Sequence, residues 1–454
     1  MKGGMASDPQ HPKLSPALDN PPDGGQEDEA VSHTIESTDS VAVKMMERVV
    51  ERDNLRAALN QVRRNKGGPG IDGLTVERLP EYLKRNWPGI RTQLLNGTYR
   101  PAPVKRVLIP KPDGSARSLG VPTVVDRFIQ QALLQVLQPE WDRTFSHSSF
   151  GFRPKRSAHQ AVAQAQAYVR EGYRFVVDMD LEKFFDTVNH DVLMHKVKQR
   201  IEDDRVILFI RRCLKSGVIV AGTYQSTGKG TPQGGPLSPL LANLLLDELD
   251  QELERRQHRF VRYADDCNLY VRSRRAGERV LVSIKHFLER RLKLKVNEQK
   301  SAVDRPWKRR ILGFTFSRGR HQYRRAVSDK AMKALKEKVR RFTQRTRGYS
   351  LNQIIAELRT YLLGWKAYFG FAEVLSPLAE LDKWIRRKLR CYQWKQWGRS
   401  GYRRLRALGI DRKLAWNTAK SAHGPWRLSK SPALNYAMDA KYFTTLGLPT
   451  LARS

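Results

Sequence analysis

The stretch Phe260-Val-Arg-Tyr-Ala-Asp-Asp-Cys-Asn-Leu-Tyr-Val271 sets the tightest limit on what this chain can fold into. Two runs rich in β-branched and aromatic residues flank Ala264-Asp265-Asp266. That pattern predicts a strand, a tight turn and a second strand, with acidic residues at the tip. Adjacent carboxylates repel each other, and a divalent cation between them removes the repulsion. Mg²⁺ favours a few carboxylates together with phosphate oxygens and water. The pair is therefore a candidate for metal-assisted phosphoryl chemistry, and a solvated acidic turn is the competing reading.

A second acidic strand lies upstream. Tyr173–Leu181 places Val177, Met179 and Leu181 on one face and Asp178 and Asp180 on the other, next to Phe184-Phe185. Asn189 then caps a helix with Leu193, Val197 and Ile201 on its core face. The order strand, helix, two strands, helix (279–292) is the split β-α-β pattern of a ferredoxin-like sheet. In such a sheet the upstream strand lies beside the hairpin. Asp178 or Asp180 then meets Asp265 and Asp266, and spacing alone does not choose between them.

Charge narrows the partner. The chain carries 83 Lys+Arg against 46 Asp+Glu, a formal net charge of +37, which implies a polyanion such as nucleic acid. Residues 1–40 run the other way, with eight acidic and two basic residues, and read as a disordered tail. Cys213, Cys267 and Cys391 are too scattered for a disulfide framework or a zinc cluster, which fits a reducing cytosol. No apolar run of about 18 residues predicts a membrane span, and no secretory signal is recognisable. The expected location is the cytoplasm, bacterial cytosol or nucleoid, with no membrane partner.

The remaining segments read in order. A helix over 41–66 breaks at Gly67-Gly68-Pro69-Gly70, and a second follows near 75–95. Val104–Pro122 is a hairpin carrying Lys105, Arg106, Lys111 and Arg117, cations able to clamp a triphosphate or simply to be solvated. A strongly apolar helix covers Asp126–Leu137. The loop 149–157 mixes aromatics with Arg153, Lys155 and Arg156, a mixture suited to stacking on bases and contacting phosphates. Helix Ala158–Arg170 follows. The Gly/Pro-rich loop 228–238 ends in Ser238 as N-cap and Pro239 at the first helical position, and Leu241, Leu245, Leu249 and Leu253 line one side of that helix. Strands are expected over 294–303 and 312–316.

From Arg305 onward 35 Lys+Arg face 8 Asp+Glu. Helix 328–345 turns Met332, Leu335, Val339 and Phe342 inward and carries Lys333, Lys336 and Arg340 elsewhere. Helices near 351–370 and 377–395 follow, with tryptophans interleaved among the cations, a composition suited to a nucleic-acid surface.

Six ordered blocks now form a set: IPKPDGSARSLGVPT, FGFRPKRSAHQA, DMDLEKFFDTVNHD, GTPQGGPLSPLLANLLLDELD, RYADD and LGFTF, followed by YLLGWKAYFGF. From about residue 45 to the C-terminus the chain resembles the reverse transcriptases encoded within group II introns, also called maturases. The resemblance implies an α+β right-hand polymerase, with fingers and a ferredoxin-like palm, an α-helical thumb and a basic C-terminal region. Residues 41–100 would extend the fingers, 101–320 form fingers and palm, 321–398 the thumb or X domain, and 399–454 a basic DNA-binding region.

By the same resemblance Asp180, Asp265 and Asp266 are the carboxylates for two Mg²⁺ ions. The family pattern, which places the first-strand ligand five residues before the second aromatic, selects Asp180. Phe185 would be the steric gate against a 2′-hydroxyl, with Phe184 in the core. Lys111 and Arg117 would hold the triphosphate, Gln233 would pack against nucleotide and template, and Lys300 would lie near the phosphates. The implied activity is RNA-directed DNA polymerase, using dNTPs, an RNA template and a DNA primer or target. The implied partner is the group II intron RNA, bound as a ribonucleoprotein to assist splicing and copied during retrohoming. Only His423 and Cys391 follow residue 321, so the metal site of a terminal nuclease is not expected. Two other readings are an RNA-binding splicing factor without enzyme activity and a host-adopted reverse transcriptase for repair or defence.

Overall fold

The computed structural model describes residues 45–452 apart from 111–113, 115, 221–222 and 319–321. The expected tail 1–40 lies outside the described residues. Among the described residues ten strands are formed: β1 Val104–Pro110, β2 Ala116–Val121, β3 Phe175–Met179, β4 Val218–Val220, β5 Thr223–Gln225, β6 Arg259–Tyr263, β7 Asp266–Val271, β8 Ala302–Asp304, β9 Phe314–Arg318 and β10 Tyr323–Val327.

The central sheet runs β6-β7-β3-β8, antiparallel throughout. This is the strand order of the split β-α-β pattern, with the upstream strand between the hairpin and the last strand. The period-2 alternation sorts the two faces. Val177, Met179, Leu269 and Val271 enter one core with the helices Ser238–Arg255 and Arg274–Phe287. Val176, Val261 and Tyr270 enter a second core with the helix Ala158–Arg170 and the β9–β10 hairpin. Asp178 and Asp180 therefore emerge on the second face, opposite the fully apolar one.

The helix Ser238–Arg255 is buried on nearly all sides, and its polar residues explain how. Asn243, Asp247, Asp250 and Glu254 recur at helical spacing. Each meets a partner brought by another segment: Arg262 reaches Asn243 and Asp250, Arg200 reaches Asp247, and Ser146 donates to Glu254. A polar stripe at this spacing anchors loops in place of facing water.

A mixed sheet of order β2-β1-β4-β5 stands apart, with β1 and β4 parallel. The helices Met45–Val49, Arg52–Asn65 and Leu79–Leu95 share the first core with the helix Val124–Asp142. Beyond β10, the helices Asp329–Phe342, Leu351–Phe369 and Ser376–Trp397 form a third core that runs on without a break through Leu405, Leu434 and Leu451. The boundary expected at 398 is thus not the edge of a separate core. Asp382, nearly buried, accepts the backbone N–H groups of Leu451 and Ala452 at 3.0–3.1 Å and ties the chain end to the long helix. No helix among the described residues is long and apolar enough to cross a membrane.

Several local expectations shift. The first four residues of the helix expected over 41–66 lie outside the described residues, and from Met45 onward it is two helices, because Glu51 is extended and restarts the chain as an N-cap. Ser238 is not an N-cap: Leu237 holds that position, and the Ser238 hydroxyl donates to the Pro232 carbonyl at 2.7 Å. The strand expected over 294–303 contracts to β8 plus a single bridge between Leu181 and Val296. Asn189 does cap its helix, accepting from Asp191 and Val192.

Candidate active site

The β6–β7 hairpin closes at the Tyr263–Asp266 pair, leaving Ala264 and Asp265 as its turn. Ala264 sits at φ +58°, an uncommon conformation for a residue with a Cβ. On the neighbouring strand Met179 pairs with Cys267, so one step further Asp180 stands level with Asp266. The topology thus brings Asp180 beside the Asp265–Asp266 turn across 85 residues of sequence. The Asp180 peptide is pinned on both sides: its N–H donates to the Ser301 hydroxyl at 3.1 Å and its carbonyl accepts from Asn297 at 2.8 Å.

Asp180 and Asp266 line a polar pocket of about 650 Å³. Asp178 lines it with them, together with Lys300, Lys308, Arg309, Arg310 and Lys330. Asp178 spends its carboxylate on Arg309, whose Nε and Nη2 donate to one oxygen at 2.9 and 2.6 Å. Among the described residues the ion-pair partner of Asp180 is the Lys300 ammonium at 3.6 Å, too long for a hydrogen bond. This geometry distinguishes two carboxylates that spacing left equivalent.

Burial pushes the Asp178 carboxyl above its usual range, and Arg309 opposes the shift. Asp266 is pushed up to about 6 by its dense surroundings, then by repulsion from Asp265, Asp178 and Asp180, with Arg310 opposing. Its side chain nevertheless remains exposed, so a cation in the pocket can reach it. Among the described residues no three His, Cys, Asp or Glu side chains lie close enough to hold a metal ion as they stand. The donor set still suits a hard cation: carboxylates on facing strands, crowded enough to repel, with a lysine ammonium supplying the counter-charge.

Phe185 and Gln233 come together about the loop 228–238. Both line a pocket with Arg106, Ser118 and Thr231, and a second with Phe152, Leu119 and Gly235. Phe185 is half-buried against Phe184, which is 2% exposed and belongs to the core. The loop is stitched to this turn: Thr231 N–H donates to the Phe185 carbonyl at 2.7 Å, and Gly230 N–H to that of Val188 at 2.8 Å. Gly230 holds φ +90°, and a Cβ there would stand 2.9 Å from the Phe185 and Asp186 carbonyl oxygens. Lys111 lies outside the described residues, as does the side chain of Arg117, whose backbone pairs with Ile109.

One expected nucleic-acid contact is corrected. Arg153 is buried, and its guanidinium is consumed by the Asp142 carboxylate and by the carbonyls of Asp142, Ser146 and Ser149. It ties the loop together and presents no charge to a phosphate. Lys155 remains exposed, while Arg156 lies over the Phe150 ring and reaches His147. Lys333 and Arg340 are exposed and Lys336 partly so. Sequence reasoning missed Arg309, and it missed the polar stripe opposite the leucines of the helix Ser238–Arg255, although the stripe's spacing was available.

Comparison with known proteins fits this geometry. Residues 109–316 match the reverse transcriptase (RNA-dependent DNA polymerase) family, which defines the class. Residues 332–409 match the group II intron maturase-specific domain. Protein YkfC of Escherichia coli is 34% identical over 273 residues, covering 52% of this chain and 72% of that protein. The group II intron-encoded protein LtrA of Lactococcus lactis is 34% identical over 226 residues, covering 48% of this chain and 36% of LtrA. A solved structure, a partial Cas6-RT-Cas1–Cas2 complex, aligns at 27% identity and TM-score 0.36 over 54% of this chain and 42% of that one. The chain belongs to the reverse transcriptases of the group II intron type, with a reverse transcriptase domain followed by a maturase-specific domain. It spans about a third of LtrA's length.

Proposed function

We propose that this chain copies intron RNA into DNA at the Asp180–Asp265–Asp266 end of the central sheet, and that it holds that RNA through its cationic helical region. The observation that carries the reading is the register of β3 against β7, which sets Asp180 level with Asp266 beside an open, polar pocket. In this reading the central sheet is the palm, the β1–β2 hairpin belongs to the fingers, and the helices from Asp329 onward are the thumb, continuous with the C-terminal segment.

Asp180, Asp265 and Asp266 would hold two Mg²⁺ ions, which neutralise charge on the reacting oxygens and on the pyrophosphate when bound. The chain's own part is placement, which supplies most of the catalysis in phosphoryl transfer. Lys300 would move from Asp180 toward phosphate. Phe185 would fill the space that a 2′-hydroxyl needs, selecting dNTPs. Gln233, on a loop sewn to that same turn, would pack against the incoming nucleotide, and Lys111 and Arg117 would hold its triphosphate from the hairpin.

The RNA-binding surface is argued from charge. Arg386, Arg387, Lys388 and Arg390 follow one another along the helix Ser376–Trp397, and Arg340 adds a cation from the preceding helical layer. Among the described residues none of the five forms an ion pair with a carboxylate. Arg387 lies 3.6 Å over Trp426 and Arg340 5.7 Å over Trp384. Unneutralised cations held on aromatic faces suit a phosphate backbone. The maturase-specific domain and the similarity to the group II intron-encoded protein LtrA support the reading that the chain binds its intron as a ribonucleoprotein, assists splicing and takes part in retrohoming.

Primer extension on an RNA template with dNTPs and Mg²⁺ tests the reading, comparing the natural chain with Asp265→Ala/Asp266→Ala. Extension by the natural chain alone is expected. Tight intron binding with extension by neither protein would leave an RNA-binding splicing factor.

A further inference from the structure

The strand that carries the acidic turn also carries an arginine that never reaches the pocket. Arg262 and Asp250 are both fully buried. The Arg262 Nε donates to one Asp250 oxygen at 2.7 Å and Nη2 to the other at 2.5 Å. Nη2 also donates to the Ser149 hydroxyl at 2.8 Å, while Nη1 donates to Asn243 Oδ1 at 3.0 Å and to the Ala264 carbonyl at 2.9 Å. A guanidinium has five N–H donors in a fixed fork, and each one is used.

The bond to Ala264 matters most. That carbonyl belongs to the peptide joining Ala264 to Asp265, so the guanidinium sets the plane from which the Asp265 side chain departs. Ala264 needs such support, since its left-handed backbone is disfavoured for a residue with a Cβ. The turn is also held from a second side. Phe150 N–H donates to the Arg262 carbonyl, and Arg262 N–H to the Ser148 carbonyl, each at 2.9 Å. Gly151 then presses against the turn so closely that a Cβ would stand 2.2 Å from the Ala264 nitrogen. Asn243, which accepts from Arg262, donates to the Gly151 carbonyl at 2.9 Å and links the two supports.

We propose that Arg262, Asp250 and Gly151 form a clamp that positions the Asp265 and Asp266 carboxylates for divalent-cation binding. They are positioning residues, and the inference rests on the reading of those two aspartates as the metal-binding pair. A buried ion pair contributes little net stability compared with apolar residues of the same volume, so stability alone does not account for it. What apolar side chains cannot do is grip the Ala264 carbonyl.

The test uses the full chain and two independent variants. Arg262→Lys keeps the charge but has three donors where five are used. Gly151→Ala pushes on the turn from the other side and leaves the ion pair intact. Three readouts are taken: Mn²⁺ binding without substrate by electron paramagnetic resonance, kcat against divalent concentration at saturating primer–template, and primer–template affinity. Both variants are expected to bind Mn²⁺ at least about tenfold more weakly and to lose at least about tenfold in kcat, with primer–template affinity within about twofold. Unchanged Mn²⁺ binding in a folded variant overturns the clamp. So does a parallel loss of primer–template affinity, or failure of both variants to fold, either of which assigns these residues to folding alone. Asp265→Ala/Asp266→Ala run alongside separates the two levels: if that variant binds Mn²⁺ and extends primers like the natural chain, the underlying reading fails.

Discussion

The acidic end of the central sheet and the cationic face of the helix Ser376–Trp397 are both crowds of like charge, and they are held in opposite ways. At the acidic end internal cations stand near several carboxylates: Arg309 on Asp178, Lys300 near Asp180, Arg262 on Asp250 and Arg200 on Asp247. On that face of the helix Arg386, Arg387, Lys388 and Arg390 have no carboxylate ion-pair partner among the described residues, whereas Lys383 is paired with Glu380. Burial holds Lys388 below the usual ammonium range, and Arg340, Arg345 and Arg387 lower it further. Arg390 is lowered to about 10 by burial and by Arg386 and Arg387. Short, matched contacts fix positions to tenths of an ångström, as a site for a small ion requires. Unmatched cations instead leave a field, which suits a long, repetitive partner whose exact register is free. Damage to the first should be close to all-or-none, and damage to the second graded and salt-dependent.

The sharpest break of that contrast is Asp265→Ala/Asp266→Ala. Primer extension should fall by at least about 10³-fold in kcat, with primer–template affinity little changed and no recovery in low salt. A loss recovered by lowering the salt would place these carboxylates in the field-like class. Proton competition comes next in size. Asp266 sits at about 6 because burial, and then the neighbouring carboxylates, disfavour its charge. A divalent cation must displace that proton below about pH 6, so half-saturation with metal should rise about tenfold for each unit of acidification there and flatten above it. A flat profile between pH 5 and 7 would mean that Asp266 takes no part in holding the cation. On the helix, Arg387→Ala/Lys388→Ala should weaken RNA binding by about tenfold at 150 mM salt and reduce the salt slope by about 1–2, leaving kcat on saturating primer–template intact. An equal loss at all salt concentrations would show matched, short-range contacts there as well.

The same difference governs what was legible in the sequence. Period-2 alternation sorted Val177 and Met179 from Asp178 and Asp180, and the order of elements put β3 beside the hairpin, because both depend on local pattern and chain connectivity. Arg153 was misjudged for a physical reason: an arginine beside aromatics is as suited to binding buried carbonyls as to binding phosphates, and only the surrounding loop decides. The leucines of the helix Ser238–Arg255 were read, yet Asn243, Asp247, Asp250 and Glu254 on its other face were not, since periodicity shows that a polar face exists but not what covers it. Arg262 stood two residues before the turn and gave no sign that its side chain crosses to Asp250. The helix break at Glu51 and the shortened strand at Ala302–Asp304 likewise depend on tertiary packing.

The smallest effect probes whether the acidic end is as fully matched as it looks. Asp247 is 3% exposed, and among the described residues one of its oxygens has no hydrogen-bond partner while the other accepts from Arg200 and Gln251. Burial and the neighbouring Asp250 push it up to about 6 from an ordinary 3.8, against Arg200 and Arg262. The folded state therefore holds this proton more tightly than the unfolded chain. Its contribution favours folding below about pH 4 and is lost as pH rises through about 6. Asp247→Asn keeps an acceptor oxygen for Arg200 and removes the titration. The variant should match or exceed the natural chain in Tm at pH 7, and its advantage should shrink as pH falls from 6 to 4, a change on the order of 1–3 kcal/mol at most. A variant that is less stable at pH 7, by a margin that does not change with pH, would mean that the charge of Asp247 is fully answered by Arg200, and that the stripe beneath the turn carries no excess negative charge.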